Sequence, residues 1–488
     1  MDLVGRARDV EGGRIVAAQS RHERSQLDDH AALARCADQL SVTIPFSDDL
    51  RILFSPLDVA GRRLPNRFAV QPMEGCDAEP DGAPGPLTGR RYRRYAAGGS
   101  GLIWFEATAV MPEGRANPRQ LWITADNVGA FRRLVDETRA CSSQKHDVLL
   151  ILQLTHSGRY ARPDGTPRPI VAQHNPALDS QGKKVSGTFC AQHPPGRPGK
   201  RFLTPFSPPL ISDAELDQLQ EAFVRAAELA AAAGFDGVDI KACHGYLVSE
   251  LLAAFARPDS RYGGPFENRT RFLLEVVARI RAHIPRVFVT SRFNVHDGLP
   301  YPYGFGADAE EWAEPLELAR RLRALGCPVL NISLGNPYYN PHFGRPYDLP
   351  VAGTATPDEH PLVGVARLLR ATAVVQRAVP DVPVVGTGYS WLRHLFPHVA
   401  AGVVAQGGVA LVGLGRLALA YPDYVKDLAE KGALDPDKTC AACSGCSQMM
   451  HDGGRVGCRV HDSDIYAEEY RQGRARAATR RRAKDKRR

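Results

Sequence analysis

The sequence predicts an α/β chain built as a (β/α)8 TIM barrel and extended by a C-terminal cysteine-rich segment. Eight short β-branched or apolar runs recur along it, separated by stretches of helical period. Such alternation builds a parallel sheet, and eight units close a barrel. The 488 residues suffice for one large barrel with additions. Four cysteines crowd into residues 440–458, beyond the eighth run.

The runs are Arg67–Pro72, Gly101–Thr108, Val148–Leu154, Gly237–Ala242, Val287–Arg292, Val329–Leu334, Val382–Thr387 and Val409–Gly413. The clearest helical stretches between them are Asp213–Ala233, Asn268–His283 and Glu310–Leu325. Ser212–Asp213 starts the first with a polar pair able to cap free amides, and Gly234 stops it. Residues 1–50 are polar and without period, and are expected to form an N-terminal arm. Residues 51–423 are the barrel. Within it, 157–211 form a long connection with ten prolines between Pro163 and Pro209, a length unusual unless functional or disordered. Residues 424–470 carry the cysteines, and 471–488 are expected to be a disordered basic tail.

Hydrophobic residues at 43% and charged residues at 24% exclude global disorder. No apolar run approaches the length of a membrane span. Residues 1–30 contain no apolar stretch of the signal-peptide kind, and ten cysteines are too few for a disulfide scaffold. A cytoplasmic location is expected. The net charge of +8 is concentrated at one end: residues 471–488 hold ten Lys/Arg and one Asp, leaving the other 470 residues at about −1. The basic balance belongs to a tail, which speaks against a nucleic-acid-binding domain.

In a parallel barrel, chemistry gathers at the C-terminal ends of the strands. Those ends hold Pro72–Met73, Glu106–Ala107, Gln153 with His156, Lys241 with His244 and Tyr246, Arg292, Gly388, and Gly415–Arg416. The last two runs end in VVGTGYS and LVGLGRLALA. Backbone amides in such turns can approach a phosphate, with Arg416 adding charge; the same glycines also serve simple tight turns. GLGRLA fits a loose dinucleotide pattern, but the chain meets Tyr421–Pro422 and the cysteines where further βαβ units would be required. The spacing Cys440-x2-Cys443-x2-Cys446-x11-Cys458 suits a soft metal centre, an iron–sulfur cluster or zinc. Three thiols within seven residues and a fourth after a spacer favour a cubane, although four cysteines alone do not select the metal. Cys36, Cys76, Cys141, Cys190, Cys243 and Cys327 are scattered and read as small buried hydrophobes.

Five motifs in order, LPNRFAVQPMEG, GLIWFEATAVMPEGR, LLILQLTHSGRY, GFDGVDIKACHGYLVSELLAAFARPDSRYGGPFENRTRF and ALVGLGRLALAYPD, resemble the old yellow enzyme family of FMN-dependent oxidoreductases. The resemblance spans roughly Leu53 to Asp423 and implies a (β/α)8 barrel, in agreement with the strand count. It further implies that Pro72, Met73 and Ala107 line FMN with backbone groups and that Gln153 bonds its pyrimidine edge. Arg292 would lie near N1–O2, favouring the reduced anion, while Gly388, Tyr389, Gly415 and Arg416 hold the phosphate. His244 and Tyr246 would face the substrate, His244 bonding an oxygen and Tyr246 supplying a proton. The cysteine spacing resembles the [4Fe–4S] segment that follows the barrel in trimethylamine dehydrogenase and 2,4-dienoyl-CoA reductase.

One departure stands out. The family usually has His where this chain has Lys241, in DIKACHGY. A lysine could bind an enolate-like oxygen, change the substrate class, or form a Schiff base if burial lowers its pKa. It could equally be ion-paired with a nearby acid. The expected activity is reduction of an activated C=C bond of a small-molecule substrate. The alternatives are an oxidative dehydrogenase or amine demethylase passing electrons out through the cluster, and a non-catalytic electron-transfer or scaffold subunit. Loops GLPYPYGFG and GNPYYNPHF offer Tyr301, Tyr303, Phe305, Tyr338 and Tyr339 as an aromatic wall, or as ordinary loop packing. Electrons would come from NAD(P)H or from a separate protein, a ferredoxin or flavoprotein reductase, steered by Arg480–Arg482 and Lys484–Arg488.

Overall fold

The eight runs become the staves of one parallel barrel in a computed structural model, which describes residues 27–142, 148–179, 208–307 and 312–485. An antiparallel hairpin of β1 (Leu57–Val59) and β2 (Arg62–Leu64) precedes them. Its Val59 and Leu64 share an apolar cluster with Leu102, Trp104, Leu149 and Leu411 of the staves. The staves are β3 (Phe68–Val70), β4 (Leu102–Ala109), β5 (Leu149–Thr155), β6 (Gly237–Ile240), β7 (Phe288–Thr290), β8 (Arg292–Asn294), β9 (Leu330–Ser333), β10 (Val384–Gly386) and β11 (Leu411–Leu414). Neighbours pair in parallel from β7 through β6, β5, β4, β3, β11, β10 and β9 to β8.

Nine strands replace the expected eight because the fifth run is broken at Ser291. Its first half pairs with β6 and its second with β9, so the two halves join the sheet's ends. The break has a local cause. Asp239 Oδ1 accepts the Arg292 amide (2.6 Å), and Ser291 Oγ donates to the Ile240 carbonyl (2.8 Å), so side chains interrupt the ladder.

The helix Asp213–Ala233 has the predicted bounds. Ser212 and Glu215 form a reciprocal capping box, and Gly234 ends the helix at φ 92°, where a side chain would be strained. Helices Phe266–His283 and Ala313–Ala324 match the other two periodic stretches to within a few residues.

The additions are more ordered than composition suggests. In the N-terminal arm, helix His30–Gln39 buries Leu33 and Ala37, and the Phe46 ring stacks on His30 (3.5 Å) and His398 (5.0 Å). Of the tail expected to be disordered, residues 471–485 are instead the end of helix Ser463–Asp485, and 486–488 lie outside the described residues. Tyr466 is buried, Glu469 accepts Arg455 (2.9 Å), and Asp452 accepts Arg474 (3.1 Å). Acids contributed by the cysteine segment offset the tail's arginines, a pairing that net charge cannot reveal. Residues 180–207 of the long connection, Cys190 among them, and 1–26 of the arm lie outside the described residues. Of the other scattered cysteines, Cys76, Cys243 and Cys327 are buried and Cys36 and Cys141 half-buried. Among the described residues no helix is long and apolar enough to cross a membrane.

Candidate active site

The strand ends expected to carry chemistry converge on one mouth of the barrel. Lys241 and His244 follow β6, and the turn after them holds His244 at φ 68° and Gly245 at φ 71°. This left-handed pair turns the chain so that Tyr246 can start the helix Leu247–Leu252. Lys241 Nζ lies 3.2 Å from Glu74 Oε1 and 3.7 Å from the centroid of the Tyr246 ring. The ion-paired alternative for Lys241 is therefore the geometry found, inside the expected site. Tyr246 OH donates to the same Glu74 oxygen (2.9 Å) and lies 3.2 Å from Tyr338 OH. Burial and the Glu74 carboxylate push the Tyr246 phenol well above its ordinary pKa. His244 Nε2 sits 2.8 Å from Ser333 Oγ at the end of β9. Burial, with Arg292 and Lys241 nearby, holds His244 well below the usual imidazole range, so the ring is neutral.

Tyr338 stacks on Tyr160 (3.6 Å between centroids), whose hydroxyl meets the Asn336 amide (2.9 Å). Of the expected aromatic wall, Tyr338 thus belongs to the site. Phe305 is buried in the core, and Tyr301 is exposed, edge-on to Phe255 (5.2 Å).

Behind this surface Asp239, fully buried on β6, organises the flavin-side residues. Its carboxylate accepts Gln153 Nε2 (2.6 Å), Trp104 Nε1 (2.8 Å) and the Arg292 amide (2.6 Å). Burial nevertheless pushes its pKa up to about 6. The bond to Asp239 turns the Gln153 amide so that its carbonyl oxygen is left for another partner. A register shift between Phe105 and Thr108 takes Glu106 and Ala107 out of the β4–β5 ladder. Glu106 then reaches back to accept the Gly75 amide (2.6 Å), fixing the loop that carries Pro72, Met73 and Glu74. The Ala107 carbonyl accepts Gln120 Nε2 (3.0 Å).

Three buried polar atoms at the expected cofactor residues have no partner: Arg292 Nε, Arg416 Nη1 and Tyr389 OH. A buried donor without an acceptor is costly, and these suit an anionic, acceptor-rich ligand. Gly388 begins the turn after β10 at φ 106°, and a Cβ on Gly415 would lie 2.8 Å from Met73 Sδ. Arg416 Nη2 donates to the Pro346 carbonyl (2.7 Å). Burial and the neighbouring Arg416 lower the Arg345 pKa to about 10. Two crowded guanidinium groups again favour an anion. These residues fit a flavin phosphate and its dipolar ring.

The cysteines lie together as their spacing implies. Burial raises the Cys440 pKa to about 11, with Cys446 and Cys443 adding to it and Arg416 opposing. Burial raises Cys458 to about 12, with Cys440 and Cys443 again contributing. Left-handed Ala442 (φ 50°) and Ser444 (φ 52°) kink the chain between the first three thiols, and the His461 amide points at Cys458 Sγ (3.4 Å). Cys440 is thus within electrostatic reach of Cys443 and Cys446, and Cys458 of Cys440 and Cys443. Among the described residues no three metal-ligating side chains converge on a single ion.

Sequence reasoning missed Glu74, Asp239, Ser333, Tyr160 and Arg345. Asp239 had a signal, since an acid inside an apolar buried strand must be partnered. Glu74 had a weaker one, directly following Met73 at a strand end.

Fold and site together define a flavin-binding (β/α)8 barrel. Residues 52–313, more than half of the chain, match the NADH:flavin oxidoreductase / NADH oxidase family, and the chain belongs to that family. It is similar to an NADPH dehydrogenase of Halalkalibacterium halodurans, 34% identical over 233 residues, which are 47% of this chain and 59% of that protein. It is also similar to a cinnamate reductase of Clostridium sporogenes, 26% identical over 448 residues, 87% of this chain and 59% of that protein. The chain therefore spans about six-tenths of the length of these curated relatives. A structure of 2-naphthoyl-CoA reductase with 2-naphthoyl-CoA superposes with a TM-score of 0.64 at 20% identity, covering 86% of this chain and 58% of that one. It shares the fold.

Proposed function

We propose that this chain is an FMN- and [4Fe–4S]-dependent oxidoreductase that reduces an activated C=C bond. The observation that carries the flavin half is the set of unpartnered buried atoms on Arg292, Tyr389 and Arg416 at the strand ends. Those residues, with Gly388, Gly415, Gln153 and the backbone of Pro72, Met73 and Ala107, would hold FMN. Cys440, Cys443, Cys446 and Cys458 would hold the cluster. When bound, FMN supplies hydride transfer and the cluster single-electron exchange.

The remaining chemistry belongs to side chains of this chain. His244 stays neutral beside Arg292, so whichever nitrogen carries its proton can donate without adding charge. With Lys241 it would stabilise negative charge growing on a substrate carbonyl oxygen. Tyr246, held as the phenol, would give its proton to the substrate carbon. The tyrosines 160, 246 and 338 would exclude water and favour a planar, conjugated substrate. The cinnamate reductase likeness over most of the chain supports this choice.

One observation favours a second reading, oxidative dehydrogenation. The Glu74 carboxylate, accepting from Tyr246 OH (2.9 Å), would serve as the acceptor for a proton leaving the substrate, with Tyr246 remaining the phenol. Electrons would be exchanged with NAD(P)H or with a separate carrier protein, a ferredoxin or flavoprotein reductase.

Anaerobic protein should release FMN on denaturation, contain iron and acid-labile sulfide in equal amounts, and oxidise NADPH or a reduced ferredoxin with cinnamate or simple enones. Turnover of amines alone would establish the second reading. Released FAD, or zinc without sulfide, would overturn the cofactor assignment.

A further inference from the structure

Glu74 sits where two functional side chains meet, and a single oxygen serves both. Its Oε1 accepts Lys241 Nζ (3.2 Å) and Tyr246 OH (2.9 Å), while Nζ lies over the Tyr246 ring (3.7 Å). The side chains of Glu74 and Lys241 are 11% and 5% exposed, so water screens the pair weakly. A lysine this deep needs a countercharge, and Glu74 supplies it.

We propose that Glu74 is a positioning residue that joins Lys241 and Tyr246 into one unit: it fixes the ammonium across the phenol ring and keeps the phenol protonated. The inference rests on the reading of Lys241 and Tyr246 as substrate-facing groups. Its logic is electrostatic. Loss of the Tyr246 proton would place a phenolate beside the Glu74 carboxylate, and like charges at hydrogen-bond distance oppose that loss. Lys241 alone would do the reverse, because a cation over the ring draws the phenol toward its anion. The carboxylate cancels that pull. The other groups facing Tyr246 carry no fixed charge: Tyr338 at the hydroxyl, Tyr160 across the ring (6.1 Å), and neutral His244 two residues earlier, held by Ser333. Burial already raises the phenol, and of the fixed charges beside the ring, Glu74 and Lys241 act on it in opposite directions. The pair also explains how a lysine is held so deep in the barrel mouth: its charge is matched on the strand-end loop after β3.

The test reads Tyr246 directly. 3-Fluorotyrosine is placed at position 246 of the FMN-loaded protein, and its 19F shift is followed against pH. In Glu74→Gln the amide keeps hydrogen-bond capacity and loses the charge, so the titration midpoint should fall by at least about one pH unit. In Lys241→Met it should rise, and in the double variant it should return toward the parent value. If Glu74→Gln does not fold, Lys241→Met is compared with the double variant, where removal of the carboxylate must still lower the midpoint. Midpoints that agree within about 0.3 unit, or a label that titrates in none of the proteins, would overturn the inference. The readout needs no turnover: an inactive substrate panel would count against the proposed function alone, and an unmoved midpoint against Glu74 alone.

Discussion

Asp239→Asn should damage both the fold and the flavin side of the site, and the structure sets the size of the effect. One carboxylate oxygen accepts Gln153 Nε2 and Trp104 Nε1, and the other accepts the Arg292 amide. An asparagine can turn its carbonyl toward only one of these groups. Facing Gln153 and Trp104, its NH2 meets the Arg292 N–H, donor against donor; flipped, it loses two bonds. With charge-assisted bonds worth about 1.5–3 kcal/mol each, the cost near pH 7 is about 2–4 kcal/mol. The pH dependence has a definite sign. Burial raises the Asp239 pKa from 3.8 to about 6, so the folded state binds this proton more tightly than the unfolded one. The resulting stability is present below pH 3.8 and is lost as pH rises through about 6, amounting to roughly 3 kcal/mol at 1.36 kcal/mol per unit. The variant lacks this loss, so its deficit against the parent widens on acidification. Urea unfolding of flavin-free protein at pH 7 and pH 5 measures the deficit, and reconstitution measures FMN retention. A deficit that narrows at pH 5 would mean that the three hydrogen bonds outweigh burial. An unchanged midpoint with full FMN would refute the role given to Asp239.

Gly413→Ala should destabilise by about 1–3 kcal/mol or more, because its Cβ would lie 2.4 Å from the Gly386 carbonyl oxygen, which cannot move away. Gly415→Ala meets only the flexible Met73 sulfur (2.8 Å); it should fold normally and bind FMN more weakly, and thermal melts with flavin titrations separate the two. Lys241→Ala should lower kcat/KM at least about tenfold, the scale of 1.4 kcal/mol, with FMN content retained; flavin loss with unchanged activity per flavin would assign Lys241 a structural role. Cys458→Ser should lose iron and acid-labile sulfide while keeping FMN, as metal and flavin analysis of anaerobic protein would record.

The barrel was legible because its strands are written as buried apolar runs bounded by turn residues, and the helix Asp213–Ala233 because both its capping box and its terminal glycine are local. The residues at strand ends were legible for the same reason: strand position fixes where they point. What escaped depends on contacts between distant segments. Glu74 and Lys241 lie 167 positions apart, and nothing local marks them as a pair. The break at Ser291 arises from Asp239 on the preceding stave, 53 positions earlier in sequence. The basic tail was misread because net charge was taken without partners: Asp452 and Glu469 pair with Arg474 and Arg476 along the helix.

The cysteine segment is part of the site's construction, not an appendage to it. The Val456 amide donates to the Gly75 carbonyl (2.7 Å), and Gly75 is in turn clamped through its own amide by Glu106 (2.6 Å). Arg119 bridges the Cys76 and Gly453 carbonyls (3.0 and 2.6 Å). On the other side the Asp348 amide donates to the Ala442 carbonyl (3.1 Å), while Asp348 Oδ1 accepts Trp391 Nε1 (2.5 Å) from the turn after β10. Two strand-end loops thus hold the cysteines, one carrying Met73 and Glu74, the other Arg345. Buried backbone bonds of this kind leave little freedom to shift one part without the other. Arg416, within electrostatic reach of both Cys440 and Arg345, places fixed positive charge between the thiols and the glycine turns. The proposed cluster, held through the loops of the barrel, would have the rigidity and the nearby positive charge that electron exchange with the flavin requires.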